Sequence, residues 1–145
     1  MTTKQQFADV QVAAEPRELD LVVPFTTPEL TRIALKEASR LGTGLHAKIR
    51  LLRIEIVPYP LDPQYPPVQP EFLQKQMESF ESPLPIERKV LLARDFKPEL
   101  CRRLRETSIV VLASRRRLWK TRTERLAAAL RGAGRAVVLV YRENS

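Results

Sequence analysis

Apolar residues fall in two spacings along the chain, and the spacings take turns. Leu19-Asp-Leu-Val-Val-Pro-Phe is a short apolar run that reads as a first strand, closed by Pro24 because proline cannot donate to a ladder. Thr27-Pro28-Glu29 then reads as a helix start: a capping hydroxyl, a proline at the first helical position, an acid at the positive end of the dipole. Leu30, Ile33, Ala34, Ala38 and Leu41 recur at helical spacing, and Gly42 and Gly44 stop the helix. From Leu45 to Val57 the spacing switches to two. Ile49, Leu51 and Arg53 take one face of a long second strand, and Leu52, Ile54 and Ile56 take the other.

The same alternation continues after a proline-rich crossover, Pro58 to Pro70, whose six prolines forbid ladder or helix. The crossover reads as a surface connection, or as a flap carrying Tyr59 and Tyr65 over a neighbouring site. Glu71–Phe80 reads as a short helix with Phe72, Met77 and Phe80 inward. Ile86–Ala93 is a third strand. Pro98–Thr107 is a helix led by Asp95, with Leu100, Cys101 and Leu104 inward. Ile109–Ala113 is a fourth strand, Thr121–Arg131 a fourth helix stopped by Gly132 and Gly134, and Ala136–Tyr141 a fifth strand. Strand and helix in strict turn, with strands apolar on both faces, predict an α/β domain: a parallel sheet, right-handed crossovers and helices on both faces. Residues 1–17 lack periodicity and read as a flexible arm, so the domain is expected over 18–145.

Composition narrows the chemistry. At 145 residues the chain can bury a continuous core without staples. Cys101 is the only cysteine and His46 the only histidine, so neither a disulfide nor an ordinary zinc set is expected. No apolar stretch is long enough to span a bilayer, and the start of the chain does not read as a secretory signal; a cytoplasmic protein is the expectation. The net charge of +8 is concentrated: Lys97 to Arg135 holds twelve Lys/Arg against Glu99, Glu106 and Glu124. That excess suits an anionic ligand, nucleic acid or an acidic partner, or simply a solvated arginine-rich face. Trp119 is the one aromatic residue inside it, and no nucleic-acid recognition motif accompanies it. No nucleophile sits near the histidine and no Gly-x-Ser-x-Gly elbow is present, so catalysis is not expected.

Three stretches together resemble the universal stress protein family, within the adenine-nucleotide alpha-hydrolase-like folds. They are Leu19-Asp-Leu-Val-Val-Pro-Phe-Thr-Thr; Arg40-Leu-Gly-Thr-Gly-Leu with Ile49-Arg-Leu-Leu-Arg-Ile; and Ile109-Val-Val-Leu-Ala-Ser-Arg-Arg-Arg with Thr123-Glu-Arg-Leu and Ala136-Val-Val-Leu-Val. The resemblance implies a five-stranded sheet in the order 3-2-1-4-5 and ligand-contacting positions at Pro24, Phe25, Thr26, Thr27, Val57, Ala113, Ser114, Arg115, Arg116, Arg117, Lys120 and Thr121. Nucleotide-binding members follow Gly-x-x-Gly-x9-Gly-Ser/Thr after strand four. Here those glycines fall on Ala113, Arg116 and Lys120 in a loop two residues shorter, and Pro24 stands near the place of the family's aspartate. The resemblance thus implies a regulatory, stress-associated binding protein that has lost the usual ATP loop. Its alternative is ATP or another anion held by Ser114, Thr121 and the arginines. It also implies a homodimer through the last strand, at Val137, Val138, Leu139, Val140 and Tyr141.

Overall fold

A computed structural model describes residues 18–59 and 70–143. The arm at 1–17, and Tyr65 with most of the proline crossover, lie outside the described residues. Among the described residues nine elements follow in turn: β1 Leu19–Pro24, α1 Pro28–Gly42, β2 Ala47–Ile56, α2 Pro70–Met77, β3 Ile86–Ala93, α3 Phe96–Arg103, β4 Ile109–Ser114, α4 Arg122–Gly132 and β5 Ala136–Tyr141. The five strands form one all-parallel sheet in the order β3-β2-β1-β4-β5. Fold class and strand order are those expected.

The sheet separates two cores. Leu21, Val23, Ile49, Leu51, Val111 and Ala113 meet Leu30, Ala34, Leu35 and Ala38 of α1, with Met77 and Phe80 from the α2 side. Val22, Leu52, Ile54, Val110 and Leu112 meet Leu100 and Leu104 near α3 and Ala127 and Leu130 of α4. Successive strand side chains therefore enter different cores, which is why these strands are apolar on both faces. The predicted division of β2 holds for Ile49 and Leu51 in one core and Leu52 and Ile54 in the other. Ile56, expected beside Leu52 and Ile54, is 40% exposed at the strand end instead.

Helix ends differ from expectation where proline or an aromatic residue misleads. The third helix runs Phe96–Arg103 rather than Pro98–Thr107. Pro98 sits inside the first turn, where amide groups have no intrahelical partner to lose. Asp95 holds the capping position without a side-chain capping bond, and Cys101 is half-buried rather than buried. The second helix runs Pro70–Met77 rather than Glu71–Phe80. In it Phe72 is 56% exposed and Leu73 takes the core position, while Met77 and, beyond the helix end, Phe80 are buried as expected. Gly42 is required by close approach: a Cβ there would lie 2.6 Å from Leu84 Cδ1 and 2.9 Å from the Ala47 Cβ.

The amino ends of the strands are fastened by charge. Arg50 donates from Nε and Nη2 to the two carboxylate oxygens of Asp20 at 2.8 Å each, and from Nη2 to the Arg103 carbonyl at 2.7 Å. Ser108 Oγ also donates to Asp20 Oδ2. Burial pushes the Asp20 carboxyl up, but the bonds from Arg50 and Ser108 and the charges of Arg50 and Arg105 outweigh it, leaving it below the ordinary value.

Candidate functional site at the carboxyl ends of β1 and β4

In an open parallel sheet, ligands bind outside the carboxyl ends of the strands where the order reverses. Here that point lies between β1 and β4. Their pairing covers Leu21–Ile109 and Val22–Val110 and goes no further, whereas β1 and β2 pair along all of Leu19–Pro24. The β1–β4 ladder stops there because Pro24, which faces β4, has no N–H to donate. The β1–α1 and β4–α4 loops leave the carboxyl ends of these two strands.

The expected positions gather at this end of the sheet, but most are spent on the fold. Pro24 and Val57 are buried. Phe25 N–H donates to the Leu52 carbonyl at 2.7 Å, and Val57 N–H to the Ala93 carbonyl at 2.8 Å. Thr26 N–H donates to Thr31 Oγ1 at 3.1 Å, and Thr27 Oγ1 accepts from Leu30 N at 3.2 Å as the α1 cap. Ala113 and Ser114 are buried at the end of β4.

The two hydroxyls of the β4–α4 loop form a closed chain. Ser114 Oγ donates to the Arg115 carbonyl at 3.1 Å and lies 2.6 Å from Thr121 Oγ1. A hydroxyl has one proton, so Thr121 is the donor to Ser114 in that pair. Thr121 Oγ1 in turn accepts from Glu124 N at 3.1 Å, while Glu124 Oε1 accepts from Thr121 N at 2.9 Å, completing a capping box. Tyr141 OH donates to Glu124 Oε2 at 2.9 Å. The Thr121 amide and then the Tyr141 hydroxyl hold Glu124 below its usual range, and the same bond pushes Tyr141 up. Neither loop hydroxyl has a proton left for a phosphate oxygen.

Nor does the backbone form an anion nest, which needs residues of left-handed conformation. Among the described residues only Gly44 and Gly134 have positive φ, and neither is in this loop.

The arginines divide. Arg115 Nη2 donates to Glu29 Oε2 at 2.8 Å, and Arg142 Nη1 lies 2.9 Å from Glu29 Oε1. The carboxylate at the start of α1 is thus bridged by two guanidinium groups. Arg116 stacks over the Tyr141 ring at 4.4 Å. Arg117 and Lys120 are exposed and meet no carboxylate within 4 Å among the described residues.

Sequence reasoning missed three parts of this arrangement. Glu29 was read only as a dipole partner, and Glu124 and Tyr141 not as loop anchors; the Thr121-x-x-Glu124 spacing was the available signal for the capping box. A basic recess of about 480 Å³ lies between α1 and α2. There Arg53 stacks over Phe25 at 4.3 Å and Arg32 over Phe80 at 5.0 Å, with Lys75 on the rim.

At the far edge of the sheet, Arg142 N–H donates to the Ser114 carbonyl at 2.8 Å. N–H and C=O of one strand residue point the same way and those of the next point oppositely, so even-numbered positions of β5 face β4. Val137, Leu139 and Tyr141 turn their main-chain groups to the open edge, where Arg131 already donates to the Val137 carbonyl at 3.1 Å. The side chains of Val137, Val138, Leu139 and Val140 pack against the two cores and are half-buried.

No protein-family model and no curated protein matches the chain.

Proposed function

We propose that the chain is a non-enzymatic, universal-stress-protein-like regulatory binding protein, cytoplasmic and dimeric through β5, that does not hold ATP in that family's manner. The observation that carries this reading is the closed hydroxyl chain Ser114–Thr121–Glu124, which commits both hydroxyl protons of a loop that also has no residue of positive φ to cradle a phosphate. The open main-chain edge at Val137, Leu139 and Tyr141 supports the dimer, since such an edge invites strand pairing. Calorimetric titration with ATP and magnesium, at low and at near-physiological salt, tests the reading. No heat, or heat that vanishes with salt, is expected; saturable one-to-one binding that survives salt overturns it.

A second reading rests on Glu29. Its carboxylate between Arg115 and Arg142 is an internal anion, and an external phosphate or carboxylate could take its place. That site would be opened by removing the Glu29 charge.

A further inference from the structure

Leu118 and Trp119 are 98% and 82% exposed, side by side in the loop between β4 and α4. Large apolar side chains scattered singly on a surface need no explanation, but an adjacent pair ringed by one sign of charge does. From Arg115 to Thr123 the chain carries five cations and no carboxylate. Arg115 and Arg116 are committed to Glu29 and Tyr141, while Arg117, Lys120 and Arg122 meet no carboxylate within 4 Å among the described residues. Both roots of the loop are pinned, one by the buried Ser114 and the other by the Thr121 capping box, so the pair is presented by a fastened loop.

We propose that this loop docks the protein on an anionic membrane surface. Leu118 and Trp119 enter the boundary between headgroups and acyl chains, and Arg117, Lys120 and Arg122 lie at the level of the lipid phosphates. An indole suits that boundary because its body is apolar and its N–H finds a wet partner. Size favours a bilayer over a protein partner. Two such side chains offer on the order of 400 Å², about half of the roughly 800 Å² that each partner gives to a standard protein interface. A bilayer requires no complementary surface and adds the attraction of its charge for each basic residue. Leu118 has no face on which a base could stack, which sets nucleic acid behind lipid. No helix among the described residues is long and apolar enough to cross a membrane, and docking by a loop needs none.

Trp119 is the only tryptophan in the chain, so its emission reports on this loop alone. The test adds vesicles of phosphatidylglycerol and phosphatidylcholine, or phosphatidylcholine alone, to the full chain and follows tryptophan emission, quenching by brominated acyl chains and co-sedimentation. The expected result is a blue shift and bromine quenching with the anionic vesicles only. Partition should fall about fivefold for each basic residue removed, as in Arg117→Gln and Lys120→Gln. Leu118→Ser should weaken co-sedimentation without changing circular dichroism. No shift with anionic vesicles at low salt overturns the proposal, as does a free-protein emission already blue because a second copy covers the indole. A shift produced by single-stranded polyuridine and not by vesicles also overturns it, and assigns the loop to nucleic acid.

Discussion

Arg50 grips both carboxylate oxygens of Asp20 at 2.8 Å, tying the amino ends of neighbouring strands β1 and β2 across a pair that is almost wholly out of water. Asp20→Asn leaves the guanidinium buried without its counter-charge. The expected loss is about 3–5 kcal/mol, read from urea denaturation at pH 7. The pH dependence has a definite sign. Asp20 titrates lower when folded, so its contribution is complete above the ordinary aspartate value of 3.8 and is lost as pH falls through the lowered folded value. The gap between wild type and Asp20→Asn should therefore be constant from pH 7 to 5 and close below about pH 4. A gap unchanged at pH 3 would refute this role.

Gly42→Ala gains helix propensity but places a methyl group 2.9 Å from the Ala47 Cβ, which cannot swing away as the Leu84 end can. Overpacking should win, at roughly 1–3 kcal/mol of lost stability by thermal or chemical denaturation. An unchanged or raised midpoint would show that the α1–β2 contact yields.

Thr121→Ala removes the α4 cap and the donor to Ser114 at once. About 1–2 kcal/mol should be lost, with Thr121→Ser recovering most of it. Serine failing to recover stability would mean that the threonine methyl, not the hydroxyl, matters.

Glu29→Gln separates the two readings of the arginine loop. Exposed ion pairs contribute little, so stability should move by less than about 1 kcal/mol. If Arg115 and Arg142 form an anion site, pyrophosphate should bind the variant more tightly than the wild type by calorimetry. Equal and negligible heats for both proteins would remove the second reading.

Leu139→Pro tests the dimer more cleanly than a charge at that position, because the Leu139 side chain packs on the core while its N–H points to the open edge. Proline is tolerated in an edge strand where its missing donor faces outward. Light scattering should show a dimer for the wild type and a folded monomer for the variant. A monomeric wild type, or a variant still dimeric, would end the β5 model.

The parallel α/β class and the two-sided burial of the sheet were legible because both follow from spacing and from runs apolar on both faces; the strand order was implied by the family resemblance, not by the spacing. The Thr27 cap was legible for the same local reason. Phe72 and Pro98 misled, since an aromatic residue does not announce which side of a short helix it takes and proline fits any first-turn position. The site residues were brought to one end of the sheet, yet their commitments were not legible. Glu29 meets Arg115 only because α1 and the β4–α4 loop flank one end of a sheet, a contact across 86 residues. Asp20 and Arg50 stand on separate strands, and only register makes them neighbours.

The open edge of β5 consists of main-chain groups, and main chain is alike in every protein. Such an edge cannot by itself tell a second copy from a stranger. Discrimination falls to what flanks it, and the groove beside it is lined by Lys36, Arg40, Arg116 and Arg142 against Glu37 and Glu143. Two identical copies meeting there bring like charge toward like charge. Screening relieves such repulsion, so self-association along this edge should tighten as salt is added, the opposite of the behaviour of the loop that carries Trp119.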